Sequence, residues 1–95
     1  MNKYEMALVL NPQLEEEALK AELEKLHGLL TRFGAAIEKV DDWGKRRLAY
    51  EIQKKNEGFY SFTTFTAEPG APAELESRLR IEEDVLRYLI VRVEE

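Results

Sequence analysis

The residues of this chain best suited to chemistry are three consecutive cations, Lys45, Arg46 and Arg47, set between Gly44 and the run Leu48-Ala49-Tyr50-Glu51-Ile52. They stand out because the whole chain carries a net charge of −5. Leu48, Tyr50 and Ile52 recur with the period of two that marks a strand with one buried face. The cations should therefore project from the mouth of a hairpin, with Leu48, Tyr50 and Ile52 facing the core. A held cluster of this kind attracts an anionic partner. Lys54 and Lys55 extend it, so that residues 43–55 carry five cations against Glu51, a local balance of +4. Acidity is concentrated elsewhere, notably on a first helix with five Glu against Lys20, Lys25 and Arg32. Such segregation suits contact with RNA phosphates along one edge while the acidic remainder faces solvent or a basic protein.

Catalytic chemistry finds little support. His27 is the only histidine, and beside Leu26 on a Glu-rich helix it reads as a solvated side chain. Glu15, Glu16 and Glu17 point in different directions around a helix, so they complement the helix dipole in its first turn and do not converge on a metal. The glycines, at 28, 34, 44, 58 and 70, are too widely spaced to form a phosphate-cradling loop. With no cysteine, thiolate nucleophiles, disulfides and Cys-ligated zinc are excluded, and the composition fits a reducing compartment. No enzyme activity, cofactor or metal is expected. Trp43, the sole tryptophan, reads as buried under the hairpin, although an exposed aromatic beside Arg is the arrangement that stacks on unpaired nucleotides. Phe59, Tyr60, Phe62 and Phe65 invite comparison with an RNA recognition motif. Glu57 stands where that motif has a basic residue and Ser61 where it has a second stacking ring, so core packing and protein contact explain these aromatics better.

The elements that must position these residues follow from periodicity. Ninety-five residues, 44% hydrophobic and 35% charged, make one globular domain spanning 1–95. No apolar run approaches the roughly 20 residues that cross a bilayer, and the first residues carry no signal-peptide pattern, so a cytoplasmic protein is expected. Tyr4, Met6, Leu8 and Leu10 alternate with Glu5, Ala7 and Val9 as a strand whose first set faces the core. Asn11 as cap and Pro12 in the first turn open a helix with a stripe of Leu19, Leu23, Leu26 and Leu30, which Gly34 stops. Residues 35 to about 53 return to strand, with a bend or bulge near Asp41, Asp42 and Gly44. Lys54 to Gly58 reads as a polar turn and Phe59 to Thr66 as the next strand. A second helix carries Leu75 and Leu79, and Val85 to Val93 closes the chain as a strand.

The order strand-helix-strand-strand-helix-strand is two split βαβ units. An α+β fold of the ferredoxin-like β-α-β-β-α-β type is expected, a four-stranded antiparallel sheet with both helices on one face. The other face is open. By parity it presents Glu5, Ala7 and Val9, with Arg87, Leu89 and Val91 beside them on the last strand, where Tyr88 and Ile90 could exchange faces with Leu89 and Val91.

The Gly-x-basic-polar-Leu-Ala-Tyr-x-Ile pattern at 44–52 resembles the signature of the bacterial small-subunit ribosomal protein six family. Tyr4-Glu5 with the apolar run to Asn11-Pro12, Phe33-Gly34, Glu38-Lys39-Val40 and Leu79-Arg80-Ile81 resemble the same family in order and spacing, so the likeness covers essentially the whole chain. It implies the ferredoxin-like fold and a structural constituent of the small ribosomal subunit, in the cytoplasm. Such a protein binds the central domain of small-subunit rRNA together with small-subunit ribosomal protein eighteen. The basic contacts it implies fall on Lys45, Arg46 and Arg47, and extend to Lys3, Arg80, Arg87 and Arg92. Glu5, Ala7, Val9, Leu89 and Val91 are the candidate seat of the protein partner. Two other classes of protein share this fold. A ligand-sensing domain of this fold would bind a small molecule between helices or at a dimer interface, and an acylphosphatase-like enzyme would need an anion-cradling loop that Leu10-Asn11-Pro12-Gln13 does not supply.

Overall fold

The computed structural model describes residues 1–52 and 55–93, apart from the side chains of Ala49, Tyr50 and Ile52. Its elements are β1 (Asn2–Leu10), α1 (Glu16–Arg32), β2 (Ala36–Ile52), β3 (Lys55–Ala67), α2 (Ala71–Leu79) and β4 (Val85–Arg92). The sheet is antiparallel throughout, in the order β2-β3-β1-β4. This is the expected ferredoxin-like arrangement. No helix among the described residues is long and apolar enough to cross a membrane.

The alternation in β1 decides which face is covered. Tyr4, Met6, Leu8 and Leu10 are all buried, whereas Glu5, Ala7 and Val9 remain partly open. The buried set joins Leu23, Leu26 and Leu30 of α1, Leu75 and Leu79 of α2 and Phe65 of β3 in one core. Fully burying a side chain such as Phe65, Met6 or Leu8 contributes about 1.5–3 kcal/mol. Tyr88 and Ile90 pack against this core, so the parity of β4 resolves with Arg87, Leu89 and Val91 on the open face.

Helix α1 starts later than its sequence suggests. The Asn11 side chain does not cap it, because Asn11 Oδ1 accepts the Gln13 N–H at 3.0 Å and the Leu14 N–H donates to the Asn11 carbonyl at 3.3 Å. That turn carries the chain to Glu15, which is the N-cap. The other end is as expected. Ala35 N–H donates to Leu30 O and Gly34 N–H to Thr31 O, the paired bonds of a Schellman stop, with Gly34 at φ 83° where other residues are strained.

Strand β2 departs most from a regular alternation. Its register against β3 shifts between Ile37 and Lys39 and again between Asp42 and Gly44, the latter with Gly44 at φ 78°. Each extra residue reverses which face the following side chains take. After the second shift Gly44 and Arg46 pair on the open side with Tyr60 and Gly58, so the expected core stripe of Leu48, Tyr50 and Ile52 is wrong at Leu48, the one member whose side chain is described. Leu48 is half-buried on the open side, where its Cδ2 lies 3.3 Å from the place a Cβ at Gly58 would take. The expected turn at 54–58 is also corrected, since β3 already begins at Lys55 and pairs with Ile52; Lys54 lies outside the described residues.

Two tests follow from this packing. A Cβ at Gly58 would overlap Val9 Cγ1, a short and stiff side chain. Gly58→Ala should destabilise the protein by about 1–3 kcal/mol in urea unfolding, and adding Val9→Ala should recover part of the loss. The second concerns Glu22, whose Oε1 is buried without a hydrogen-bond partner. Its pKa is raised by burial first and then by Glu82, with Asp84 adding and Lys25 opposing. The folded state thus holds this proton more tightly than the unfolded chain, so its contribution to stability falls as pH rises from the ordinary carboxylate range through the raised value. Glu22→Gln should flatten that dependence and stabilise the protein at neutral pH by up to about 0.5 kcal/mol, checked by thermal unfolding across pH 4 to 8.

Candidate nucleic-acid and protein interface

Lys45, Arg46 and Arg47 are all exposed on β2, opposite Phe59, Gly58 and Glu57 of β3. They stand where the β2–β3 ladder leaves the body of the sheet, because β1 stops pairing with β3 at Leu10↔Phe59 while β2 and β3 continue to Ile52↔Lys55. The cluster therefore sits on the root of a projecting arm and within a strand, not at a hairpin mouth. By register Arg46 shares the open face with Gly58 and Tyr60, and Lys45 and Arg47 take the opposite side. A cluster that presents cations to both sides of a ribbon can follow a phosphate backbone that passes over its edge.

The other candidate cations do not converge on this cluster. Arg87 pairs with Val9, and the cross-sheet row Arg87, Val9, Tyr60, Gly44 puts it at the same end of the open face, three strand spacings or about 14 Å away. Lys3 and Arg92 lie at the far end of β1, about 20 Å along the strand. There they line an open cleft with Asn2, Glu38, Thr66 and Val93, and Lys3 Nζ lies 3.6 Å from Glu38. Arg92 pairs with the core-facing Tyr4 and so belongs to the helix side. Arg80 caps the C-terminal end of α2, where a hydrogen bond with the Tyr88 side chain, first among the causes, raises its pKa. The seven cations thus form a cluster on the arm with Arg87 across the sheet, a pair at the opposite end, and Arg80 on the helix side.

The five candidate partner residues do come together. Glu5 pairs with Val91 and Ala7 with Leu89, with Val9 in the next row, all on the uncovered face. Leu89 and Val91 are 55% and 43% exposed, a large opening for aliphatic side chains in a strand. The same face continues onto aromatics. Phe62 pairs with Ala7 and Tyr60 with Val9, and Phe62 lies 4.6 Å from Trp43 and 6.4 Å from Tyr60 between ring centroids. Trp43 is 50% exposed, so the expectation that it is buried under the hairpin is corrected. It is the extra residue at the second register shift, which turns its ring outward onto Phe62. Trp43, Tyr60 and Phe62 are missing from the sequence-based partner set. The signal was there in the period of two along β3, but Ser61 and Thr63 hid it by being polar on the covered side.

Those two polar residues explain a second correction. Ser61 and Thr63 are wholly buried; the Ser61 hydroxyl donates to Asp42 Oδ1 at 2.7 Å, and Thr63 Oγ1 lies 3.4 Å from His27 Nε2. His27 is therefore half-buried beneath α1 and not a solvated side chain, and it satisfies a buried hydroxyl. The loop after β1 offers no anion cradle, because the N–H groups of Asn11, Gln13 and Leu14 already donate to Asp84 O, Asn11 Oδ1 and Asn11 O. Pro12 has no N–H to offer.

Comparison with known proteins places this arrangement. A model of the family described as Ribosomal protein S6 matches residues 3–92. The small ribosomal subunit protein bS6 of Clostridium kluyveri is 50% identical over 94 residues, 99% of each chain. Its counterpart in Clostridium beijerinckii is 50% identical over 91 residues, 96% of each. Among solved structures, 30S ribosomal protein S6 from Thermotoga maritima superposes with a TM-score of 0.93 at 29% identity, covering 97% of this chain and 87% of that one. The C-terminal domain of the MgtC protein from Mycobacterium tuberculosis, at a TM-score of 0.64 and 8% identity, shares the fold alone. With its topology, its signature strand and nearly its full length matched by these relatives, the chain belongs to the Ribosomal protein S6 family.

Proposed function

We propose that this protein is a structural constituent of the small ribosomal subunit, located with the ribosome in the cytoplasm. In this reading it binds the central domain of small-subunit rRNA together with small-subunit ribosomal protein eighteen, and turns over no substrate. The observation that carries the reading is the division of the surface. A cation cluster stands on a projecting two-stranded arm, and a separate apolar and aromatic face lies open on the same sheet.

The charge distribution supplies a reason for a partner. With +4 on residues 43–55 and −5 on the whole chain, the remainder carries −9. A body so acidic repels phosphate, and the arm alone gives few counterion-releasing contacts. A basic protein seated on the open face would neutralise the body and add its own contacts to the same RNA, so the two would bind together more tightly than either alone. The aromatics suit such a seat, since Trp, Tyr and Phe are enriched in the buried centres of protein interfaces. Lys45, Arg46 and Arg47 would meet phosphates, with Arg87 reaching the same strand from across the sheet. Lys3 and Arg92 would form a second contact at the far end, and Arg80 a third from the helix side.

Two measurements test this. In filter binding at fixed salt, the protein alone should bind central-domain rRNA weakly, and an equimolar mixture with protein eighteen should bind at least about tenfold more tightly, a coupling of about 1.4 kcal/mol. Equal affinities would refute cooperative binding. Arg46→Glu with Arg47→Glu should weaken binding of the mixture and lower its logarithmic salt slope by about two, one for each lost phosphate contact. Both side chains are exposed, so thermal stability should stay within about 0.5 kcal/mol of wild type.

A further inference from the structure

The sheet order leaves two edges, β2 and β4, and they are unlike. The β2 edge is interrupted by three register shifts and carries Glu38, Lys39, Asp41, Asp42 and the three consecutive cations. Bulges and charges of this kind keep another strand from pairing. The β4 edge has no bulge from Arg87 to Arg92 and no charge between those two arginines. Its register with β1 runs unbroken from Val9↔Arg87 to Tyr4↔Arg92, and between the two arginines the side chains are Tyr88, Leu89, Ile90 and Val91.

The direction of the backbone groups along β4 is set by one bond. The Val93 N–H donates to the Lys3 carbonyl at 2.8 Å. In an antiparallel ladder both polar groups of a residue point to the same side, and successive residues alternate. Arg87, Leu89 and Val91 therefore turn their N–H and C=O groups toward β1, while Tyr88, Ile90 and Arg92 turn theirs to the outer edge. Beside that row, Leu89 and Val91 stand exposed on the open face.

We propose that the β4 edge accepts an extended segment of a basic protein as a fifth strand. Its main chain would bond to Tyr88, Ile90 and Arg92, and its apolar side chains would cover Leu89 and Val91. The charge of −9 outside residues 43–55 selects a basic occupant over an acidic one and opposes a second copy of this chain. The inference rests on the protein-partner reading given above and adds which edge is used and by which backbone groups.

Residue-resolved amide exchange on the full chain, free and saturated with small-subunit protein eighteen, tests it. In the free protein Arg87, Leu89 and Val91 should exchange slowly, and Tyr88 and Ile90 fast. In the complex Tyr88 and Ile90 should slow by about 100-fold or more while the other three change little. A complex that forms without that change overturns the edge and leaves the partner reading standing. If no complex forms, the partner reading fails and the edge proposal fails with it. Slowing of Tyr88 and Ile90 in concentrated free protein, with a doubled mass, would assign the edge to a second copy and overturn the basic occupant.

Discussion

The fold depends on β1 being paired along both sides while burying only every second side chain. β3 and β4 flank it, and Tyr4, Met6, Leu8 and Leu10 lie beneath both helices. A slip of one residue would bring Glu5 into the core and expel Met6 and Leu8, so the register of the two central ladders is held by a large free-energy difference. The Schellman stop at Gly34 and the turn at Asn11 serve the same constraint, because they set where α1 can begin and end over that strand. With both helices on one side, the other side of the sheet stays open.

The register shifts in β2 convert that simple layer into a surface with two characters. The shift at Trp43 takes the ring onto Phe62, and the residues after it change faces. Because β1 ends at Leu10, β2 and β3 run past it, where the close fit of Val9 against Gly58 ties the root of the arm to the sheet. The shift therefore builds the aromatic part of the open face, and the end of β1 leaves the cations on an arm beyond the body.

Polar residues under α1 show how the covered face tolerates a departure from an all-apolar core. Ser61 and Thr63 are buried, yet each has a partner, Asp42 on the neighbouring strand and His27 on the helix above. Glu22 is the exception, with one oxygen buried and unpartnered while Lys25 pairs with Glu82 at 2.9 Å. It lies where α1 meets the segment before β4, and there burial, Glu82 and Asp84 raise its pKa.

The sequence by itself determined the order of elements, the buried set of β1, the leucine stripe of α1, the exposure of Lys45, Arg46 and Arg47, and the family. Those features are local, since a period of two or of 3.6 and a run of like charges can be read without knowing what lies across the sheet. Only the tertiary structure decided the faces of Trp43 and Leu48, the inward position of His27 and the scatter of Lys3, Arg80 and Arg92 away from the arm. Each depends on a bulge, a helix or a strand pairing contributed by residues distant in sequence. One inserted residue in a ladder reverses every face beyond it, and nothing in the composition of β2 counts such insertions.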